Sequence, residues 1–171
     1  MSIKQFNGEW VCQQDRVLFR FNTSEDQEFS FWLTRFVVKG LIQGAQQLTV
    51  QALEQVHPPQ VAQVMQSFQQ ESLTQQLNFQ QTYQAAKDKP MGQAPLLVTG
   101  LQLKQEGESV SIRFDLDTGQ SVHVQVSASV LQILLALLDK LQTTAQWGVG
   151  LNDASAEGDT PLAASPPKLV H

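Results

Sequence analysis

Residues 17–38 read VLFRFNTSEDQEFSFWLTRFVV, and this stretch decides the fold because residues 110–131, VSIRFDLDTGQSVHVQVSASVL, repeat its pattern. Arg20 and Arg113 are 93 positions apart, and the residues around them follow in step without a gap. The two stretches share a hydrophobic pattern more than they share identical residues. They predict two copies of one structural unit that fold against each other, but they indicate no particular chemistry.

Alternating apolar residues in both stretches predict β-strands with one buried face. The residues expected to face inward are Val17, Phe19, Phe21, Phe29, Phe31 and Leu33 in the first copy and Val110, Ile112, Phe114, Leu116, Val122, Val124 and Val126 in the second. Thr34 and Ser127 follow the last strand of each copy and predict the N-caps of two helices, one over residues 35–48 and one running to about Trp147.

The strands before these stretches are less regular. Residues 3–6 and 10–13 are short strand candidates around a turn at Asn7-Gly8, a dipeptide typical of tight hairpins. In the second copy, residues 96–104 predict a strand that precedes a turn at residues 106–108.

The expected fold class is therefore α+β, with two pseudo-repeated β-β-β-α units packed together and a helical insert between them. We expect one globular domain over residues 1–147, composed of unit 1 (1–50), the insert (51–89) and unit 2 (94–147). Residues 148–171 are rich in Gly, Ala, Ser and Pro and predict a disordered tail. A single β-sandwich with an inserted helix-turn-helix and a closing helix is the alternative architecture.

Composition limits the classes of partner. The formal net charge is −5, which argues against a dedicated binder of duplex DNA or of an anionic membrane. About a sixth of the chain is glutamine, well above ordinary usage, and the insert is glutamine-rich. Cys12 is the only cysteine, so a disulfide within the chain and a thiolate metal cluster are excluded. With no secretory signal pattern at the amino terminus, we expect a cytoplasmic protein without a membrane partner.

Signals for catalysis are weak. Residues 117–119, Asp-Thr-Gly, match the short triplet of aspartic proteases, but Asp115 precedes it and Gln120 follows it, and it falls on a predicted hairpin turn. Three histidines are scattered through the chain at His57, His123 and His171. We therefore expect no catalytic residues, no metal site and no cofactor.

The two predicted helices differ at matching positions. Gly40 and Gly44 of the first helix align with Ile133 and Leu137 of the second. Glycine inside a helix costs about 1 kcal/mol relative to alanine, so two glycines one turn apart indicate close packing. We expect the helices to cross with Ile133 or Leu137 over the glycines. The second helix is apolar nearly all round, so either the rest of the chain or a second subunit buries it.

The outer face of the unit 1 strands carries Trp32, Leu18, Arg16 and Arg20. Tryptophan and arginine are enriched at binding hot spots, so these four residues are the expected partner-binding site. A competing interpretation has the insert lying over this face and burying Trp32 and Leu18. The expected function is a small protein-interaction or assembly module without catalytic activity, which binds a protein partner and forms a homodimer. The wide apolar face of the second helix, together with the packing residues Gly40, Gly44, Ile133 and Leu137, is the expected self-association site.

The alternative partner is a single-stranded nucleic acid bound by the same face. The order of several strands followed by one helix, repeated twice, resembles single-strand binding proteins of the Pur-repeat and whirly kind. That resemblance implies base stacking on Trp32 and phosphate contacts from Arg16 and Arg20. Glu25, Asp26 and the acidic net charge disfavour it.

Overall fold

The computed structural model describes residues 1–54 and 83–148, and within these residues two runs of three strands are each followed by one helix. The elements are β1 (Ile3–Val11), β2 (Arg16–Thr23), β3 (Glu28–Leu33), α1 (Arg35–Glu54), β4 (Leu96–Glu106), β5 (Ser109–Leu116), β6 (Ser121–Ser127) and α2 (Ala128–Thr144). The α+β class is confirmed. Most of the predicted insert and nearly all of the predicted tail lie outside the described residues.

One mixed sheet contains all six of these strands, in chain order from β1 to β6. Neighbouring strands run antiparallel except β3 and β4, which pair in parallel at Phe31–Leu96 and Trp32–Leu97. The outer strands approach each other at one point, where Ser2 and Gln125 form a parallel bridge. The sheet is therefore curled enough to bring part of its two edges together.

The apolar face of the strands forms the core together with the helices. Every residue predicted to face inward is buried, and Phe19, Phe31, Ile112 and Phe114 have no exposed surface at all. Phe31 and Phe114 meet across the β3–β4 boundary with ring centroids 5.4 Å apart. The strict alternation of apolar and polar residues therefore places the core correctly.

β1 is one uninterrupted strand, so the predicted turn at Asn7-Gly8 is wrong. These two residues pair with Arg20 and Phe19 of β2 within the regular ladder. The chain turns only after Val11. There Asp15 adopts a left-handed conformation with φ 48°. Gly8 lacks a side chain for a tertiary reason, because an added Cβ would lie 2.8 Å from Leu141 Cδ1 of α2.

Both helices begin where the sequence predicts. Thr34 Oγ1 accepts a hydrogen bond from the backbone N of Val37 at 3.4 Å, and Ser127 Oγ accepts one from Val130 N at 3.3 Å. α1 continues to Glu54, past the predicted end at residue 48 and past the boundary expected between unit 1 and the insert. α2 ends at Thr144, shortly before Trp147.

The predicted packing of Ile133 or Leu137 over the α1 glycines is wrong. α1 contacts both β4 and α2, but the atoms nearest to a Cβ built on Gly40 or Gly44 belong to Leu101 or Leu103 of β4. Leu137 packs instead on β1, where its Cδ2 lies 3.2 Å from the Cβ position of Gly8. The sequence spacing identified a close approach, but each helix makes it with a strand.

Burial of α2 occurs within a single chain. The helix residues with little or no exposed surface are Leu131, Leu134, Leu135, Ala136, Leu137 and Leu138. Of the two explanations left open by the sequence, burial by the same chain holds for these residues. A second subunit is not needed to cover them.

Candidate interaction surfaces

The predicted binding residues share the outer face of β2 and β3. Arg16, Leu18 and Arg20 alternate along β2 with the buried core residues, and Leu18 pairs directly with Trp32 across the two strands. All four side chains are half-buried. The structure thus brings Trp32 and Leu18 into register and places both arginines on the same face.

Arg20 is already engaged by the segment that follows the undescribed part of the chain. Its guanidinium carbon lies 5.5 Å from the centre of the Tyr83 ring, within range of a cation–π interaction. This contact directs Arg20 towards Tyr83. Trp32, Leu18 and Arg16 are the other residues of the predicted site, and most of the insert that the sequence placed over this face lies outside the described residues.

Glu28 is the centre of a polar network that ties Tyr83 and its neighbours to the sheet. The side chain is only 2% exposed, and its Oε1 is 2.8 Å from Lys89 Nζ. Its Oε2 accepts hydrogen bonds from the Tyr83 hydroxyl at 3.0 Å and from the backbone N of Ala86 at 3.2 Å. The Tyr83 hydroxyl also contacts Asn22 Oδ1. Residues 83–89 are therefore fixed on the outer face of unit 1.

The charge on Glu28 is stabilised despite its burial. Burial by itself raises the pKa of the carboxyl, but the hydrogen bonds from Lys89 and Tyr83, the positive charge of Lys89 and the Ala86 N–H together hold that pKa below its ordinary value. Burial, followed by the hydrogen bond to Glu28 and its negative charge, raises the pKa of Tyr83 well above the ordinary tyrosine value. Glu28 is therefore the acceptor and Tyr83 the donor at neutral pH.

The matching face of unit 2 is open and polar. Arg113 Nε and the Ser121 hydroxyl each donate to Asp115 Oδ1 at 2.7 Å. The Ser121 hydrogen bond, and then that from Arg113, lower the pKa of the Asp115 carboxyl. His123 on this face is exposed. Nothing apolar of the size of Trp32 is present here, in agreement with the sequence.

A groove runs between α1 and β4. Its cavity volume is approximately 340 Å³, at the lower end of the range for ligand-binding clefts. The lining residues are Phe36, Val37, Gly40, Gly44, Gln47, Leu48, Gln51, Gly100, Leu101 and Leu103. None of them carries a charge. We call this feature the α1 groove.

Phe36 stands beside the α1 groove with 79% of its surface exposed, the most of any large apolar side chain among the described residues. Most of α1 turns its apolar residues towards the core, so an outward phenylalanine is an exception to the pattern of this helix. An exposed aromatic ring next to an uncharged groove is typical of a site that binds another molecule.

The two glycines of the α1 groove differ in how tightly they pack. A Cβ on Gly44 would lie 3.1 Å from Leu103 Cδ1, so a larger residue here would require the Leu103 side chain to move by a few tenths of an ångström. A Cβ on Gly40 would meet only Leu101 Cδ2 at 3.9 Å, an ordinary contact distance. Gly40 is exposed, and contacts with the described residues do not account for its cost of about 1 kcal/mol.

A second polar network, separate from that of Glu28, connects the residues after α2 to the β1–β2 turn. Trp147 Nε1 donates to Asp15 Oδ1 at 2.6 Å, and Arg35 pairs with Asp15 Oδ2 at 3.2 Å. The hydrogen bond from Trp147 is the main reason why the pKa of Asp15 is lowered. Arg35 also lies 5.7 Å from the Trp147 ring centre. This cluster joins the β1–β2 turn, the start of α1 and the residue beyond α2.

The catalytic patterns considered in the sequence do not assemble. Gly119 has φ 81°, and its backbone N donates to Leu116 O, so the Asp-Thr-Gly triplet forms the β5–β6 turn. Cys12 is exposed in the β1–β2 turn. Across residues 1–54 and 83–148, no three His, Cys, Asp or Glu side chains come together as metal ligands.

In the described part of the chain, no helix has both the length and the apolar character to cross a membrane. No protein-family model, curated protein or solved structure matches this chain.

Proposed function

We propose that this protein is a small protein-interaction module without catalytic activity, which works in the cytoplasm and self-associates. The observation that carries the proposal is Phe36, a fully outward aromatic ring beside the uncharged α1 groove. A single exposed apolar residue is ordinary on a protein surface. Here the exposed ring lies next to an uncharged groove, and the two together are typical of a binding surface.

Trp32, Leu18 and Arg16 form a second candidate surface for the protein partner. Trp32 and Leu18 are paired across β2 and β3 and are half-buried, as expected for residues that still present some apolar area. Arg20, which the sequence grouped with them, is engaged by Tyr83. A single-stranded nucleic acid therefore has one arginine fewer available for phosphate contact than the sequence predicts, so we favour a protein partner.

We also propose that the chain arose by duplication of one β-β-β-α unit. The β2–β3 and β5–β6 ladders support this proposal, because Val17–Leu33 and Val110–Val126 are equivalent pairs 93 positions apart. α1 and α2 also begin 93 positions apart, at Arg35 and Ala128. The first ladder of each half has its irregularity near the same end, between Ile3 and Gln5 and between Val98 and Gly100.

Affinity capture with the full chain tests the interaction proposal. Wild type, Trp32→Ala and Phe36→Arg are each used to capture proteins from the native lysate, with and without nuclease. His123→Ala is the control, because it changes an exposed residue on the polar face of unit 2. Protein partners that survive nuclease and are lost in one surface variant support the proposal and identify the surface.

Two outcomes contradict it. If the captured material disappears on nuclease treatment, and direct binding weakens steeply with added salt, the single-strand alternative replaces the protein partner. If no variant changes what is captured, neither surface is a docking site.

A further inference from the structure

We propose that the α1 groove is filled by a second copy of this chain, with the two α1 helices antiparallel and each Phe36 seated in the groove of the other. This inference rests on the self-association included in the proposed function. It assigns that self-association to α1, which carries Gly40 and Gly44, and not to the apolar face of α2 with Ile133 and Leu137, where the sequence placed it.

The surface around the α1 groove is complementary to itself. A two-fold dimer needs one surface that carries both a projection and the cavity that receives it. Phe36 is the projection and lies at the amino-terminal end of the α1 groove, while Leu48 and Gln51 line the other end. An antiparallel copy brings its own Phe36 to that other end. One contact therefore occurs twice, related by an axis near the middle of the helix.

The α1 groove is also uncharged, which favours contact between two copies of an acidic chain. The whole chain carries −5, so two copies repel unless they meet through a neutral surface. The exposed residues of α1 from residue 36 to residue 51 are Phe36, Gly40, Gln43, Gln47 and Gln51, and none is charged. Lys39, the only charged residue in that part of the helix, does not line the groove. Two copies that meet here bring no like charges together in the groove.

Gly40 also favours this interface. It is exposed, and among the described residues it has room for a Cβ at an ordinary contact distance, whereas Gly44 is packed more tightly. A glycine in this place lets the backbone of another helix approach closely. With the axis near Gln43, midway between Phe36 and Gln51, Gly44 of one copy lies close to Gly44 of the other, and Gly40 faces Gln47 of the other copy.

Sedimentation of the full chain over a concentration series tests the interface. Phe36→Arg is expected to raise the dimer Kd at least tenfold. Ser129→Arg is the matched control, because Ser129 is also the second residue of a helix and is exposed. Gly40→Ala is expected to raise the dimer Kd several-fold and also to raise the unfolding midpoint of the monomer. Association is thereby weakened while the fold is stabilised, a combination that a misfolded variant does not produce.

Disulfide trapping tests the direction of the helices. In a Cys12→Ser background, Gln43→Cys lies close to the proposed axis and is expected to form a covalent dimer on mild oxidation. Gln51→Cys, on the same face, is the control. In an antiparallel pair the two copies of residue 51 are about 22 Å apart along the helix at 1.5 Å per residue, too far to join.

The outcomes separate this inference from the broader proposal. Trapping at residue 43 but not at residue 51, with dissociation by Phe36→Arg, supports the antiparallel α1 dimer. Trapping at residue 51, or a dimer unaffected by Phe36→Arg, overturns this interface but leaves self-association standing at another surface. A chain that stays monomeric at every concentration overturns self-association itself, whereas capture of a protein partner in the earlier experiment is independent of that result.

Discussion

At the scale of single residues, Glu28 joins parts of the chain that are far apart in sequence. It belongs to β3, yet its carboxylate binds Tyr83, Ala86 and Lys89, which follow more than fifty residues later. A buried carboxylate is tolerated only when its partners replace the lost water. Here they do so, and they hold residues 83–89 against the sheet at the same time.

Replacing Glu28 by glutamine is expected to lower the free energy of unfolding by about 2–3 kcal/mol, because Lys89 loses its charge partner in a largely buried site. Urea denaturation at pH 7 measures this loss. Glu25→Gln is the control, because Glu25 is exposed a few residues earlier and is expected to change stability little. Equal losses in the two variants would mean that the Glu28 contacts do not stabilise the fold.

The effect of Glu28→Gln is expected to depend on pH. Because folding lowers the pKa of Glu28, its contribution is complete above the unfolded value of about 4.3 and is lost as pH falls through the folded value. The stability difference between wild type and variant should therefore be full at pH 7 and smaller near pH 3. A difference that is the same at both pH values would argue against an ionised Glu28 in the folded protein.

At the scale of elements, each helix packs on a strand of the other half with the residue sizes reversed. α1 presents Gly44 to Leu103 of β4, whereas α2 presents Leu137 to Gly8 of β1. Either arrangement fills the space between helix and strand. The halves can therefore share one architecture while their interiors are not interchangeable.

Two glycine-to-alanine substitutions are expected to have opposite effects. Gly8→Ala places a Cβ 2.8 Å from Leu141 Cδ1 and should cost about 1–2 kcal/mol, because the side chains of Leu141 and Leu137 have to move in a packed interior. Gly40→Ala, in the monomer, should stabilise by about 0.5–1 kcal/mol, because the space is open and alanine favours the helix. Thermal unfolding at low protein concentration measures both. A loss at Gly40 as large as that at Gly8 would contradict the packing described here.

The helix caps offer a prediction about both halves. Thr34→Ala and Ser127→Ala each remove an acceptor for a backbone N–H in the first turn, and each is expected to cost about 1 kcal/mol. Chemical denaturation measures the losses. Thr118→Ala, at an exposed position in the β5–β6 turn, is the control and should be close to neutral. If the capping variants resembled this control, the caps would contribute nothing to stability.

The sequence correctly predicted those structural features that depend on residues close together in the chain. Alternation along Val17–Phe21 and the caps at Thr34 and Ser127 involve neighbours in the chain, and the structure confirms both. Gly8 was misinterpreted because its reason lies in α2. The burial of Glu28 was missed for the same reason, since Tyr83 and Lys89 are distant in sequence. The groove beside Phe36 was not foreseen because spacing does not reveal which element a helix packs on.

At the scale of the whole molecule, the two halves are bound together by exchanged contacts. α1 belongs to the first half and packs on β4, while α2 belongs to the second half and contacts β1 as well as β5 and β6 of its own half. The two helices also contact each other, and β3 and β4 join the halves within the sheet. Each helix would therefore lose packing partners if the other half unfolded.

The protein is therefore expected to unfold in one cooperative transition. Tryptophan fluorescence, which reports on Trp10, Trp32 and Trp147, and far-ultraviolet circular dichroism should give the same midpoint in urea. Leu103→Ala, which is expected to cost about 1–2 kcal/mol, should lower the exchange free energy of core amides in β2 as much as in β5. Separate transitions for the two probes, or a loss confined to β5, would show that the halves unfold independently.

The bridge between Ser2 and Gln125 also affects how copies of the chain can associate. An uncovered edge strand can template the strand of another molecule, which is the usual start of fibril growth. Here the two outermost strands approach each other at that bridge, and the backbone N of Gln125 donates to Met1 O at 2.8 Å. At that bridge the edges of the sheet are not open to a strand of another molecule. Contact between molecules at this place then depends on side chains, whose fit is selective, and not on backbone groups, which pair with any sequence.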